Sequence, residues 1–191
     1  VVTVSQNLLM LFMKFETLDP LLYTLKLRAL AVFVPLYQFH NSSLSDALQQ
    51  LFQGLQFHSS SEPDFSWLQL NEDVKACRRR AIFSLIHISK SCASRLLSLF
   101  GALAQQVKSL AESNRISESE KIRCFEFLVI VSNASSDLQQ QQAFIVNILS
   151  EPVNSWSSSD FKDAFTDTSK FVALMGCNQV EEKDINNYKI S

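Results

Sequence analysis

Glycine and proline are scarce in this sequence, which has 3 glycines and 4 prolines among its 191 residues. Because tight β-hairpins depend on glycine and helix interiors exclude proline, the scarcity of both favours long helices over hairpins. No segment alternates apolar and polar residues for long enough to predict a strand. The hydrophobic residues, which make up 47% of the chain, instead recur at helical spacing. We therefore predict an all-α fold.

Charge of either sign is also limited. The chain has 17 Lys and Arg residues against 19 Asp and Glu, and its formal net charge of −2 gives no overall attraction to nucleic acid. Any electrostatic role must then be local.

The 4 cysteines include no Cys-X-X-Cys pair and three lie in apolar helical runs, which predicts buried thiols in a reducing compartment. His40, His58 and His87 have no cysteine or carboxylate at ligand spacing, so we expect no metal site.

Catalytic and membrane signatures are missing as well. The sequence has no glycine-rich phosphate loop, no GxSxG elbow and no carboxylate pair with the spacing of an acid and a base. We predict neither an enzyme nor a cofactor. No uncharged apolar stretch reaches the roughly 18 residues of a membrane span, and the opening run lacks the leader and cleavage site of a secretory signal. The chain starts without Met inside a helical pattern, and we expect it to be an internal piece of a longer protein.

Apolar spacing and capping residues predict eight helices. The first covers Leu8–Phe15, the second is capped by Asp19 and frayed or bent at Pro35, and the third runs from Ser42 or Ser43 to about Gly54. The fourth covers Glu72–Lys90, the fifth is capped by Ser94 and runs past Leu110, and the sixth has a capping box at Ser117 and Glu120. The seventh covers Leu138–Trp156 and the eighth Phe161–Met175. The polar run SSSEPDFSW is expected to be the loop between the third and fourth helices.

Several helices have a side that we expect to face a core. The second helix has Leu22, Leu25, Ala29, Val32 and Leu36 on one stripe, the third has Leu44, Leu48, Leu51, Phe52 and Leu55, and the seventh has Ile145, Ile148, Leu149 and Trp156. The sixth contains CFEFLVIVS, which is apolar nearly all round and predicts neighbours on both sides.

The fourth helix, EDVKACRRRAIFSLIHISK, carries the densest positive charge of the chain. At about 100° per residue, it places one apolar stripe on one side, formed by Val74, Cys77, Ala81, Leu85 and Ile88. The opposite side carries Arg79, Arg80, His87 and Lys90, and Lys75 and Arg78 lie on a flank. The helix should therefore be buried along one side and electropositive along the other.

The predicted helices arrive in pairs at a spacing of about 40 to 50 residues, which is the period of HEAT-type helical hairpins. About four hairpins would form an α-solenoid over residues 1–177, followed by a polar tail or inter-repeat loop over residues 178–191. Because the second helix of each hairpin commonly lines the concave side, Arg79, Arg80, Lys121 and Arg123 would lie on or near one inner wall. A compact helical bundle would use the same stripes.

The order of several segments also resembles a known family. The segments LLMLFMKFETLDPLLYTLKLRALAVFVPL, LQQLFQGLQF, KACRRRAIFSLIHISKSC, EKIRCFEFLVIVSN and FIVNILSEPVNSW are similar to the middle HEAT repeats of the exportin-5 family of importin-β-like karyopherins. The resemblance implies part of a superhelical receptor that binds double-stranded RNA hairpins, notably microRNA precursors, together with the Ran GTPase in its GTP form. It further implies protein transport between nucleus and cytoplasm, nucleoporins as partners, and no membrane.

The candidate RNA-facing or partner-facing residues are basic. Duplex RNA is recognised through phosphates, 2′-hydroxyls and A-form shape, so cations along a wall suit it. The candidates are Lys75, Arg78, Arg79, Arg80, Lys90, Lys121 and Arg123. The family pattern has basic residues at the positions of Arg78 and Arg79, whereas the loop SSSEPDFSW is acidic where the family can be basic.

Other interpretations of the same residues are open. The arginine run can pair with Glu72, Asp73 or acids of an adjacent repeat and have no further role. The whole chain can be a HEAT scaffold that only joins proteins, or a relative of importin-β that carries protein cargo with Ran and without RNA. A phosphate-binding wall would show an affinity that falls steeply with salt, and an apolar groove would not.

Overall fold

The computed structural model describes residues 2–38, 41–58, 70–113 and 115–175, and these ranges contain helices and no strand. The helices are α1 (Val2–Lys14), α2 (Pro20–Val32), α3 (Val34–Tyr37), α4 (Asn41–Leu55), α5 (Glu72–Leu96), α6 (Phe100–Glu112), α7 (Glu118–Ser132), α8 (Leu138–Ser157), α9 (Ser159–Ala164) and α10 (Thr168–Leu174), with a short 3-10 turn at Leu97–Leu99. This confirms the predicted all-α class. The chain divides into two compact units, residues 1–141 and 142–191.

Two predicted helix starts are confirmed by their capping geometry. The Asp19 carboxylate accepts a hydrogen bond from the backbone N–H of Leu22 at 2.9 Å, and Pro20 occupies the first turn of α2. The hydroxyl of Ser117 accepts from the N–H of Glu120, whose carboxylate accepts in return from the N–H of Ser117 at 2.7 Å. Both caps satisfy N–H groups that have no partner within the helix, which fixes where α2 and α7 begin.

Two other predicted starts are wrong. α4 begins at Asn41, ahead of both serines that we expected to cap it. Ser94 does not cap a helix: it lies within the span of α5, two residues after a kink at Cys92 where the backbone departs from helical geometry. The next helix begins only at Phe100, without a side-chain cap.

The first unit is built around α5. One row contains α2, α5 and α7, in which α5 packs against both neighbours. α4 packs on α5, α6 packs on α7, and α1 packs against α4. The hairpins α4/α5 and α6/α7 therefore stand side by side, as expected for the predicted HEAT-like solenoid.

The core of this unit follows the predicted stripes of α4 and α5. All five residues of the predicted α5 stripe are buried, as are all five of the α4 stripe. Gly54, which we expected to end α4, lies inside it, where an added Cβ would come within 3.0 Å of side-chain atoms of Leu27 and Ala81. The absence of a side chain therefore lets α4 approach both α2 and α5 closely.

The predicted core side of α2 is wrong. The helix buries Tyr23, Lys26, Leu27 and Leu30, whereas Leu22, Leu25 and Val32 are exposed. Leucines surround α2, so their spacing alone does not select one side. The contact with α5 selects it, and the buried lysine is accommodated by main-chain acceptors from another part of the chain.

Lys26 is the unexpected member of that buried side. Its ammonium group donates to the carbonyls of Met13 and Phe15 at 3.2 and 2.7 Å and to Oε1 of Gln50 at 2.7 Å. These bonds satisfy the carbonyls at the end of α1, where a cation is also favoured by the helix dipole. Burial lowers the pKa of Lys26.

The sixth predicted helix, α7, has two unequal sides. Cys124, Phe127, Leu128 and Val131 are buried, whereas Phe125 and Ile130 are half-buried and Ile122 is exposed. The expectation that neighbours cover it on both sides is therefore met on one side only.

Three of the thiols, those of Cys77, Cys92 and Cys124, are buried and free as predicted.

The second unit contains most of α8 with α9 and α10. The predicted α8 helix is confirmed and includes Pro152, but Ile145, Leu149 and Trp156 are exposed and not in a core. The predicted last helix is two short helices, because the carboxylate of Asp167 accepts from the N–H groups of Ser169 and Lys170 and starts α10 anew. Three expected features lie outside the described residues: the loop around Trp67, the polar tail, and Gly176, which we expect to end the last predicted helix.

Candidate nucleic-acid interface

The three consecutive arginines of α5 point in three directions, since neighbouring side chains of a helix are about 100° apart. The Arg78 side chain is only 1% exposed, whereas that of Arg79 is 55% exposed. Arg80 is half-buried. The run is therefore divided between the interior and the surface.

Arg78 binds inside the first unit. Its Nε donates to the carbonyl of Phe57 at 3.1 Å, and Nη1 donates to the carbonyl of Arg115 at 3.0 Å. Nη1 is also 3.8 Å from a carboxylate oxygen of Glu120, the residue that completes the α7 capping box. Burial lowers the pKa of Arg78, and the charge of Glu120 opposes that effect.

The position of Arg78 corrects one of the predicted site residues. A side chain that is enclosed on all sides cannot contact RNA or a partner, so Arg78 does not belong to an outward-facing set. It instead connects the chain that follows α4 with the chain that precedes α7. Breaking a buried charge pair usually costs about 3 to 5 kcal/mol of stability. We therefore expect the Arg78 contacts to stabilise the fold.

Most of the other candidates pair with acids on their own helix. Glu72 is 3.0 Å from Lys75 and 3.7 Å from Arg79, and its pKa is lowered mainly by the hydrogen bond from Lys75. On α7, Lys121 is 2.7 Å from Glu118 and Arg123 is 2.6 Å from Glu126. The open interpretation that arginines of the run pair with Glu72 or with acids of an adjacent repeat is thus correct for Arg79 and Arg78. Such exposed pairs are weak and screened by salt.

Arg80 and Lys90 differ from the candidate cations that have an acidic partner. Among the described residues, neither has a carboxylate within 4.0 Å. Lys90 is exposed, as is His87 between them. The two cations are therefore the ones in the predicted set that can accept an anionic partner without first losing an ion pair.

One exposed residue of α5 was missed by the sequence reasoning. Phe83 is 53% exposed and continues a helical stripe with Arg79, His87 and Lys90, which we call the α5 outer stripe. Its position on the basic side of the helix, away from the apolar stripe, was a signal in the sequence. α5 packs mainly against α2, α4 and α7, and in the part of the chain that the structure describes this stripe is exposed.

The α5 and α7 cations lie on neighbouring helices of the same row. On α7 Arg123 is exposed and Lys121 is half-buried.

No cluster of three or more potential metal ligands occurs in the ranges that the structure describes. In the same ranges, no helix has the length and apolar character that crossing a membrane requires.

Comparison with known proteins connects this arrangement to one family. The model of the Exportin-5 family matches residues 1–184. The chain is 24% identical over 191 residues to exportin-5 of Dictyostelium discoideum, covering 100% of the chain and 17% of that protein. It is 25% identical to human exportin-5 over 174 residues and 28% identical to mouse exportin-5 over 173 residues, covering 91% and 90% of the chain and 14% of each relative. The chain, which spans between about one seventh and one sixth of the length of these relatives, belongs to the Exportin-5 family.

Proposed function

We propose that this chain is a helical-repeat segment of a nuclear export receptor that binds double-stranded RNA hairpins, such as microRNA precursors, together with Ran in its GTP form. The receptor would move between nucleus and cytoplasm, contact nucleoporins, and act by reversible binding without catalysing a reaction. Membership of the Exportin-5 family supports the receptor role. The observation that carries the RNA part is the α5 outer stripe together with Arg80: Arg80 and Lys90 have no carboxylate within 4.0 Å among the described residues.

The chemistry of duplex RNA suits such a surface. Its deep, narrow major groove excludes side chains, so a protein contacts phosphates and 2′-hydroxyls at the surface of the duplex. Each cation that replaces a counterion on a phosphate strengthens binding and makes it depend on salt. A net charge of −2 over the whole chain does not oppose this mode, because α5 carries six Lys and Arg residues against two acidic residues.

The cations would contribute unequally. Arg80 and Lys90 have no carboxylate partner among the described residues, so a phosphate would not compete with an existing pair. Arg79 and Arg123 would have to exchange Glu72 and Glu126 for a phosphate. Lys75 and Lys121 also have acidic partners and are less exposed, so we expect their contribution to be the smallest.

A second candidate function is a scaffold or a protein-cargo receptor without RNA. Two observations favour it: most of the candidate cations have acidic partners, and apolar side chains such as Phe83 and Ile122 are exposed among them. An apolar protein contact would bind with little dependence on salt. The two candidates therefore differ in a measurable quantity.

The deciding experiment measures the affinity of full-length receptor for a short hairpin RNA, with and without GTP-loaded Ran, over a series of salt concentrations. We expect binding that requires Ran and falls steeply with salt. The double variant Arg80→Glu/Lys90→Glu should weaken binding and reduce the salt slope by about one for each lost phosphate contact.

The matched control for this pair is Lys108→Glu. Lys108 is an exposed cation on α6, which is not part of the α5 row. Its charge reversal should leave the salt slope unchanged. An equal response of both variants would indicate a general charge effect, and binding of Ran without any RNA affinity would favour the protein-cargo function.

A further inference from the structure

A polar groove crosses the first unit from α2 over α4 to α6. It consists of two adjoining cavities, of about 800 and 620 Å³, which share Gln56 as a lining residue. The first lies between α4, α2 and the chain that precedes α2, and the second lies between α4 and α6. Because α4 packs mainly on α5 and α6 mainly on α7, a cavity remains between α4 and α6. We call the two cavities together the amide groove.

Glutamine side chains are the most frequent polar groups of the amide groove. Three lie along α4 and two on α6: Gln50, Gln53, Gln56, Gln105 and Gln106. The Oε1 atom of Gln50 accepts a hydrogen bond from the ammonium group of Lys26 at 2.7 Å, which leaves the Gln50 NH₂ group as a donor. The other four amides form no side-chain hydrogen bond within the part of the chain that the structure describes.

Such amides are suited to the backbone of an extended peptide. A glutamine side chain has a donor and an acceptor on one group. In an extended chain the N–H and C=O of one residue point to the same side, so one glutamine can bind both of them, whichever side chain that residue has. A helix uses these backbone groups within itself. The amide groove therefore favours a segment in extended conformation.

The floor of the amide groove is apolar and largely buried. In the first cavity the rings of Tyr23 and Phe57 stack with their centroids 4.6 Å apart. In the second cavity the floor includes Phe52 and Leu110, which are also buried. These side chains fix the shape of the groove and leave most of the recognition to the amides.

The two ends of the amide groove carry opposite charges. Glu16 borders the first cavity and Arg115 borders the second. Both side chains are exposed, and neither has an oppositely charged group within 4.0 Å among the described residues. The path from α2 over α4 to α6 covers about two helix spacings, or roughly 20 Å. An extended chain spans that length with about six residues.

We propose that the amide groove binds an extended segment of a partner protein. The segment carries a Lys or Arg opposite Glu16 and, about six residues away, an Asp or Glu opposite Arg115. The charges set the register, and the amides bind the backbone between them. A nucleic acid fits less well, because the exposed charges of the groove balance and give no excess of cations for phosphates. The site contains neither Arg80 nor Lys90 and is separate from the proposed RNA surface.

The test selects binders from a library of random short peptides on immobilised full-length receptor, and then measures the selected peptides by fluorescence anisotropy. We expect them to share a basic and an acidic residue about six positions apart. Gln53→Ala/Gln105→Ala should weaken their binding by about tenfold or more, since several backbone hydrogen bonds are lost. Gln49→Ala is the matched control, because Gln49 is an exposed glutamine of α4 that lines neither cavity. It should leave the affinity unchanged.

A charge exchange provides a second readout, which a folding defect cannot imitate. Arg115→Glu should bind the selected peptides at least about tenfold more weakly. It should instead bind versions in which Lys replaces their acidic residue. The carbonyl of Arg115 that accepts from Arg78 is a backbone group and is kept in this variant.

Four outcomes would overturn the proposal. A selection that enriches no peptide would leave the groove without the proposed ligand. Equal affinity of the selected peptides for the parent and for Gln53→Ala/Gln105→Ala would place their site elsewhere, as would a failure of the charge exchange. Binding of an unstructured single-stranded RNA that is lost in the glutamine variant would assign the groove to nucleic acid. Because the glutamine variant should bind hairpin RNA like the parent, this test is independent of the proposed function.

Discussion

α2 and α5 lie side by side in one row and bury the sides that face each other, but their outer sides differ in chemistry. The outer side of α2 consists mainly of leucine and valine, and that of α5 carries Arg79, His87 and Lys90. An apolar outer side is stabilised when protein covers it, whereas a basic one remains hydrated and can bind anions. One row of helices thus presents an assembly surface next to a surface suited to a charged partner.

The largest expected effect tests the buried sides with which α2 and α5 face each other. Leu27→Asp on α2 and Leu85→Asp on α5 each place a carboxylate where the leucine is fully buried. The lost apolar contact together with an unpaired buried charge should cost about 4 kcal/mol or more, enough to abolish cooperative folding. Circular dichroism during thermal and urea unfolding measures this. A variant that melts like the parent would show that the assigned inner sides are wrong.

A smaller effect separates the inner and outer sides of α5 at adjacent residues. Arg78→Met leaves the carbonyls of Phe57 and Arg115 and the Glu120 carboxylate without their partner. It should lower the free energy of unfolding by about 3 kcal/mol. Arg79→Met, the control next to it, should have little effect, because that side chain lies at the surface. Similar losses in both variants, measured by urea titration, would contradict the division of the arginine run.

The smallest expected effect for a single group concerns the stability of the packing between α2, α5 and α7 at alkaline pH. Burial raises the pKa of Cys77 on α5 to about 11 and that of Tyr23 on α2 to about 12, and it raises the pKa of Cys124 on α7 to about 12. The unfolded chain loses these protons near pH 9 to 10, and the folded chain retains them to higher pH. Stability should therefore be complete below pH 9 and fall as the pH rises from 9 to about 12.

Urea titrations between pH 8 and pH 10.5 measure this loss, to which each of the three groups should contribute about 2 kcal/mol or less. Cys77→Ala should flatten the curve, since it removes one of the responsible groups. Lys26 acts in the opposite direction, because its lowered pKa adds stability as the pH rises toward its unfolded value. A curve that is flat over this range in the parent protein would show that these groups are solvated in the fold.

The sequence was informative where charge or a cap distinguishes one direction from another. The polar residues of α4 and the cations of α5 identify the solvent side, so the buried stripes of both helices were predicted correctly. Asp19 and the Ser117/Glu120 pair carry their own local signal. On α2, leucines occur on all sides, and the buried side is chosen by contact with α5, which no local pattern encodes.

The buried cations could not be predicted for a related reason. Lys26 and Arg78 are held by main-chain carbonyls that are distant in sequence, at Met13, Phe15 and Phe57 among others. A carbonyl is present at every residue and gives no pattern to recognise. The start of α10 differs, because Asp167 is a capping residue that the sequence displays and that we overlooked when we predicted one continuous helix.

The contacts of Arg78 have an evolutionary consequence. Two of its acceptors are backbone oxygens, so they persist whichever side chains occupy positions 57 and 115. The connection between the two hairpins can thus survive substitution at either position, provided that the backbone path is kept. An insertion or deletion beside those positions would move the oxygens away and break it. Natural variants of this segment should therefore differ more freely in residue identity there than in loop length.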